Sequence, residues 1–426
     1  MKLLVEKSAL KGTVAIPGSK SHTIRAVAIA SLAEGTSKVR APLLSGDTTS
    51  AMGCYRALGA QIDDTDQAIW KIIGTAGRPR PNRELIDIGN SGTTLRVAAG
   101  SLALANNSTP VILTGDEQIQ SRPIGPLLGS LNDLGAKAVS VKGNGKAPIS
   151  ILGALTGGAT TIECVTSQYL SSLLLAAPLA SLDTEIEVTL LNEPDYVQMT
   201  LDWLDKLSIE YENDGFKRFW IRGGQEYKAF DEAVPADFSS ATFFLCAGAL
   251  LEGDITLTGL DFSDSQPDKA VAAYLERMGA QIRVKDREVQ VKRAELQGID
   301  IDMNRTPDAL PAMAVMGAFA SGTTRLLNVP QARNKETDRI ACMAEELQKM
   351  GARVEELPDG LVIHHSEKLS SANFDGRHDH RIVMALAVAS MALDGQSRID
   401  TAEAMNVTFP EYLNLMKSIG ARMSIE

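Results

Sequence analysis

Residues 18–35 read GSKSHTIRAVAIASLAEG. A polar, capping start leads into a run of alanine, isoleucine, valine and leucine, and glycine closes it. Such a run is a good helix former and is nearly apolar all round, so it predicts a central helix covered on every side. The same design returns as GNSGTTLRVAAGSLALA from Gly89, TSQYLSSLLLAAPLA from Thr166, DFSSATFFLCAGALLEG from Asp237, PDALPAMAVMGAFASG from Pro307 and DHRIVMALAVASMALDG from Asp379. Serine, threonine, asparagine or aspartate near these starts are capping residues, placed where orphan N–H groups point outward. Helix N-termini favour anions. The chain therefore offers six anion-facing helix ends.

A second landmark keeps the same step. Gly59-Ala60, Gly135-Ala136, the degenerate Ser208-Ile209, Gly279-Ala280, Gly351-Ala352 and Gly420-Ala421 lie roughly 70 residues apart. A period of that length means stacked copies of one supersecondary unit, none of which buries its apolar face alone. Each copy reads βαβαββ: buried helix, strand, amphipathic outer helix, then a hairpin after Gly-Ala. The strands are expected at 38–42, 111–114, 186–191, 255–259, 324–329 and 397–401, and hairpins such as QIRVKDREVQVK (281–292) follow. The fold class is thus α/β, built of six βαβαββ units. Copy six stops at RMSIE, one strand short, whereas MKLLVEKSA at the N-terminus belongs to no copy. The economical reading gives that stretch to copy six. It makes residues 1–16 plus 236–426 one discontinuous domain and 17–235 an inserted one, with a hinge near 12–19 and 234–239.

Composition sets bounds on function. A chain of 426 residues suits two domains. With 44% hydrophobic residues it has ordinary globular content, and 5% aromatics leaves little for base-stacking platforms. A net charge of −11 argues against a nucleic-acid or membrane surface, though a cleft can still be locally basic. Cys54, Cys164, Cys246 and Cys342 are scattered without metal spacing in apolar contexts, as buried reduced thiols would be. Charge interrupts MKLLVEKSALKG before any signal-like apolar run develops. The reading is a cytoplasmic monomer.

Taken singly, the polar motifs have plain explanations. Gly18–Ser21, Gly89–Thr93 and Thr166–Gln168 could be helix caps, Arg122-Pro123 a helix entry, and Lys335–Arg339 an exposed face with Lys335–Asp338 and Glu336–Arg339 pairs. His378-Asp379-His380 lacks the further ligands that a metal site needs. Joint occurrence at equivalent repeat positions overturns these separate readings. PGSKSHTIR (17–25), GNSGTTLR (89–96), GDEQIQSRPIGPL (115–127), TSQYLSSLLLAAPLA (166–180), DMNRTPDALPAM (302–313), NKETDRI (334–340) and DHRIVMA (379–385) closely resemble the 5-enolpyruvylshikimate-3-phosphate (EPSP) synthases, in order and over the whole chain.

The resemblance implies a two-domain, inside-out α/β barrel with three units per domain and the active site between them. It implies transfer of the enolpyruvyl group of phosphoenolpyruvate to the 5-hydroxyl of shikimate 3-phosphate, with no metal and no cofactor. Together the substrates carry about five to six negative charges, which call for a comparable set of cations, arginine forks above all. By resemblance Lys20 lies between both ligands. Ser21, Arg25, Thr166, Ser167, Gln168, Asp308, Gln331 and Lys335 face shikimate 3-phosphate. Asn90, Gly92, Arg122, Gln168, Glu336, Arg339, His380 and Arg381 face phosphoenolpyruvate. Asp308 is then the base that takes the hydroxyl proton, Glu336 the acid that protonates the methylene carbon, and His380 a helper. The family's inhibitor glyphosate is a candidate ligand.

Departures from the family pattern fall at Asn192–Gln198, where an extra residue interrupts the usual Ser-Lys/Arg-Pro-Tyr stretch, at Gln331 for asparagine, at Val97 for proline and at Val407 for lysine. Two alternative readings compete with this one. One is transfer to UDP-N-acetylglucosamine, disfavoured by Lys20-Ser21 in place of Lys-Asn and by the absence of cysteine from 115–123. The other is an inactive anion-binding homologue, disfavoured because Asp308 and Glu336 are both present.

Overall fold

The computed structural model describes residues 1–426. The six apolar runs form helices at Lys20–Leu32, Gly92–Ala103, Gln168–Ala176, Phe238–Leu250, Leu310–Phe319 and His380–Ala392. Their side chains are buried almost throughout; in the last of them burial runs unbroken from His380 to Met391. Four of these helices, those from Gly92, Gln168, Leu310 and His380, cross between two parallel strands of one sheet, as in Leu85–Asp87, Gly92–Ala103 and Val111–Thr114. A hairpin completes that sheet antiparallel, here Lys137–Ser140 with Ile149–Leu152. The result is six four-stranded sheets of one pattern, so the α/β reading and its repeat hold.

Two compact units divide the chain: Met1–Pro17 with Pro235–Glu426, and Gly18–Val234. Pro17 and Pro235, which the sequence reading put in the inserted segment, go with the discontinuous unit, and a backbone bond from Asp237 N–H to the Pro17 carbonyl (2.9 Å) ties its two pieces together. Each unit has its own continuous apolar core. In the discontinuous unit the helices from Phe238, Leu310 and His380 pack pairwise around one centre. In the other, the Gly92 helix packs on both the Lys20 and the Gln168 helices.

The strands that precede the crossings are exchanged. Leu10–Ala15 leads into the Lys20 helix but pairs with Gly253–Thr258. Asp231–Ala233 leads into the Phe238 helix but pairs with Thr36–Arg40. Leu3–Glu6 lies between Gln396–Asp400 and Arg422–Ile425, antiparallel to both, and fills the sheet of copy six.

The Gly-Ala landmark is a helix stop. In all six copies the N–H of the second residue reaches back to a carbonyl in the last helical turn at 2.9–3.1 Å, from Ala60 to Tyr55 through Ala421 to Met416. This bond requires the residue before it to turn left-handed, which glycine does freely. Gly59 has φ +105°, whereas in copy three Ser208 takes the position at φ 56°. No helix is long and apolar enough to cross a membrane.

Candidate active site

In the Gly18–Val234 unit, Ser19 caps the Lys20–Leu32 helix by accepting from the His22 N–H. Lys20 Nζ lies 3.1 Å from Asp47 Oδ2. Arg25, one turn further on and 3% exposed, donates to Thr200 Oγ1 (2.9 Å), to the carbonyls of Ser21 (3.1 Å) and Tyr196 (2.7 Å), and to Ser171 Oγ (3.3 Å). Every one of these acceptors is neutral. Burial pulls the Arg25 pKa down to about 10. A buried guanidinium surrounded by neutral oxygens is a costly arrangement that a ligand carboxylate or phosphate would complete.

The Gly92 helix starts beside two more guanidiniums. A Cβ on Gly92 would lie 2.6 Å from Nη1 of both Arg122 and Arg96. Arg96 donates to the carbonyls of Gly92 and Pro123, both at 3.1 Å, and so fixes the Arg122-Pro123 turn against the helix. Gln168 Nε2 donates to Thr93 Oγ1 at 3.2 Å, joining the third helix to the second, while its Oε1 is buried without a hydrogen-bond partner. Asn90 Nδ2 donates to Asp116 Oδ2 (2.5 Å) and Gln118 Oε1 (2.7 Å). Within this unit the structure therefore gathers Gly92, Arg122 and Gln168, and links Ser21 and Arg25 to the third helix through Ser171. Ser167 occupies the N-cap position of the Gln168 helix, yet its hydroxyl makes no cap bond. It donates to Glu193 Oε2 at 2.7 Å instead.

The discontinuous unit gathers the remaining residues around one arginine. Asp308 sits in the tight turn Pro307–Ala309 ahead of the Leu310 helix. Its Oδ1 is 2.9 Å from Arg339 Nη1 and 3.7 Å from Lys335 Nζ, and its Oδ2 is 2.9 Å from Arg381 Nη2. Arg339 Nη2 also donates to Glu336, and Nε to Asp379 Oδ2 at 2.9 Å. Burial works against the charge of Arg339, but Asp379, Glu336 and Asp308 outweigh it and raise the pKa. Asp379 is fully buried; desolvation resists its charge, and Arg339 nevertheless holds its carboxyl below the usual range. The same carboxylate accepts from the Arg381 N–H at 2.9 Å, capping the His380 helix. Burial drives the His380 pKa down to about 3, so its ring is neutral, and its Nε2 has no hydrogen-bond partner. Gln331 Nε2 donates to the Asn304 carbonyl at 2.9 Å, leaving its buried Oε1 unpartnered.

The exposed-helix reading of Lys335–Arg339 fails here. Residues 335–338 precede the Arg339–Lys349 helix, which Asp338 caps, and Asp338 pairs with Arg333 at 2.6 Å rather than with Lys335. Lys335, Arg339 and Arg381 face Asp308, Glu336 and Asp379, three charges against three. Lys335, Arg339 and Arg381, which the resemblance turns toward the ligands, are thus already engaged with carboxylates.

Sequence reasoning missed four carboxylates at these centres: Asp47, Glu193, Asp268 and Asp379. Asp379 carried a signal, as the cap residue ahead of an apolar helix. Glu193 lay inside the stretch that departs from the family pattern. Asp268 carried none; it is 1% exposed, and burial together with the nearby Asp308 lifts its pKa to about 6.

The family model for EPSP synthase (3-phosphoshikimate 1-carboxyvinyltransferase) matches residues 5–416. A 3-phosphoshikimate 1-carboxyvinyltransferase of Acetivibrio thermocellus is 52% identical, covering 100% of this chain and 99% of its own length. One from Methanococcus aeolicus is 40% identical with both chains fully covered. Among solved structures, an EPSP synthase from Acinetobacter baumannii superposes with TM-score 0.83 at 25% identity over 100% of this chain and 99% of its own. An enolpyruvyl transferase from Streptomyces tendae, 18% identical, shares the fold at TM-score 0.77 over 99% of this chain and 98% of that one.

Proposed function

The chain belongs to the EPSP synthase family, and from that premise we propose how its residues carry the reaction. It is a 3-phosphoshikimate 1-carboxyvinyltransferase, moving the carboxyvinyl group of phosphoenolpyruvate to shikimate 3-phosphate. The acceptor's 5-hydroxyl oxygen bonds to C2 of phosphoenolpyruvate while the methylene C3 takes a proton. The tetrahedral adduct then loses phosphate from C2 and a proton from C3, restoring the double bond. Proton flow reverses between the two halves, so two carboxyl groups in different settings suit the task.

The observation that carries the assignment is that one guanidinium, Arg339, holds both Asp308 and Glu336. A phosphoenolpyruvate anion arriving at Arg339 and Arg381 competes with these carboxylates for the same N–H groups. Donor binding thereby loosens both at once and raises their affinity for protons, as base and acid require. Asp308 is the base for the hydroxyl and Glu336 the acid for the methylene carbon. Neutral His380 offers Nε2 as a hydrogen-bonding partner to the departing phosphate. In the other unit, Arg25 supplies the uncompensated cation for the acceptor, and Arg122 beside Gly92 takes the donor. Lys20, drawn from Asp47, serves both.

Purified protein mixed with shikimate 3-phosphate and phosphoenolpyruvate should release inorganic phosphate, and UDP-N-acetylglucosamine in place of shikimate 3-phosphate should not support release. Asp308→Ala should keep shikimate 3-phosphate binding within about tenfold while lowering kcat at least about 100-fold. Near-normal kcat in that variant removes Asp308 as the base.

A further inference from the structure

Thr166 and Ser167 open the third helix of the Gly18–Val234 unit, and the proposed function gives them to the acceptor. A single carboxylate oxygen already takes their donors. Glu193 Oε2 accepts from Ser167 Oγ at 2.7 Å, from the Ser167 N–H at 3.3 Å and from Thr166 Oγ1 at 3.3 Å. Both partners are sealed from solvent, Glu193 and Ser167 each being 1% exposed. Three donors converging on one charged oxygen at a helix start is the geometry of a bound anion, and here the anion is a side chain.

The chain holds Glu193 there at some cost. It sits at φ 60°, ψ 49°, left-handed backbone that a residue with a Cβ adopts only when its surroundings impose it. Those surroundings are specific. Asn192 donates backbone N–H to the Cys164 carbonyl (3.1 Å) and Nδ2 to the Val165 carbonyl (3.3 Å). Pro194 starts the next helix immediately after Glu193, and Arg25 grips that helix at the Tyr196 carbonyl.

A hydroxyl has one hydrogen to give. While Ser167 and Thr166 donate to Glu193 they cannot donate to a phosphate, and two anions on one set of donors repel. We infer that Glu193 is an internal stand-in for the acceptor's phosphate and a specificity-determining residue, whose carboxylate must leave the Thr166–Ser167 donors before shikimate 3-phosphate can use them. The inference rests on the reading of those donors as the acceptor's phosphate site. If the carboxylate holds them about nine-tenths of the time, the apparent affinity for the acceptor is about tenfold weaker than that of the open site.

The test compares full-length wild type with Glu193→Gln, which keeps size and one acceptor oxygen but removes the charge, and with Glu193→Ala, which removes both. Thermal unfolding first establishes that each variant is folded. KM for shikimate 3-phosphate should fall about five- to tenfold in Glu193→Gln. KM for phosphoenolpyruvate, and the dissociation constant for shikimate without its phosphate, should stay within about twofold. An unchanged or raised KM for shikimate 3-phosphate in every variant that folds overturns the inference. Equilibrium binding of inorganic phosphate is read in parallel and needs no turnover. Were wild type to release no phosphate from the substrate pair, the enzymatic reading would fall. Tighter inorganic phosphate binding by the variants would then still support the stand-in role, and unchanged binding would refute it.

Discussion

Gly92 shows how little space a guanidinium pair leaves. With 2.6 Å between a built Cβ and Nη1 of both Arg122 and Arg96, Gly92→Ala must move one of the two. Arg96 holds the Arg122-Pro123 turn through the Pro123 carbonyl, so a shift of either guanidinium displaces Arg122. KM for phosphoenolpyruvate should rise at least about tenfold with KM for shikimate 3-phosphate within about threefold, as expected when an interaction with one ligand only is lost; steady-state kinetics with each substrate varied will decide. His380 makes a second residue-level prediction. Burial holds its pKa near 3, whereas an unfolded histidine titrates near 6.5, so the native ring stays neutral while the unfolded one charges. Its contribution to stability is present above pH 6.5 and is lost as pH falls from there toward 3. Imidazole NMR shifts assigned to His380 should not move between pH 5 and 8. The charged residues in the motifs were legible one by one because guanidinium and carboxylate chemistry is written in residue type. Their pairing was not: Asp308 meets Arg339 and Arg381 across 31 and 73 residues, and Glu193 meets Ser167 across 26. Burial of Asp268 depends on what packs over it, which no local pattern encodes.

Elements decide how those residues are presented. The His380 helix is entered through Gly376, Arg377 and His378, and the latter two both stand at φ 54°. Arg377 is anchored by Glu346 at 3.1 Å, and the His378 N–H by Thr401 Oγ1 at 3.0 Å. Gly376 allows the close pass: a Cβ there would lie 2.3 Å from Val383 Cγ2 and 2.5 Å from the Asp400 carbonyl. Gly376→Ala should destabilise the discontinuous unit by about 1–3 kcal/mol in urea unfolding and weaken phosphoenolpyruvate more than shikimate 3-phosphate, because Arg381 follows on that helix. The helices and their stops were readable because small apolar runs and Gly-Ala pairs are local signals. Lys335–Arg339 was not, since its favourable i,i+3 charge spacing mimics an exposed helix. Pro330 opens a short tight turn that ends before Lys335, and the α-helix begins only at Arg339.

At the scale of the molecule, the period of roughly 70 residues was visible because six copies repeat the same small-residue helix and stop. What the period alone could not say is which strand joins which sheet where the chain leaves one unit for the other. The exchange of Leu10–Ala15 and Asp231–Ala233 satisfies both units. Leu3 and Val5, both fully buried, belong to the core of the discontinuous unit. Leu3→Ala should cost about 2–5 kcal/mol there. Hydrogen exchange followed by mass spectrometry should show protection lost first in Gln396–Asp400 and Arg422–Ile425, with the Gly18–Val234 sheets unaffected; equal loss in both units would contradict the separation of cores.

The position of Leu3–Glu6 between two strands made roughly 400 residues later also sets a timetable. On the ribosome, residues 18–234 carry every strand of their own sheets once Asp231–Ala233 has emerged. Leu3–Glu6, synthesised before either of its neighbours, has no partner until translation reaches Gln396–Asp400 and Arg422–Ile425. At about 5–20 residues per second that wait lasts on the order of 10–40 s after the inserted unit is complete. An apolar strand is thus kept in reserve through most of the chain's birth, in reach of chaperones, while its neighbour is already native.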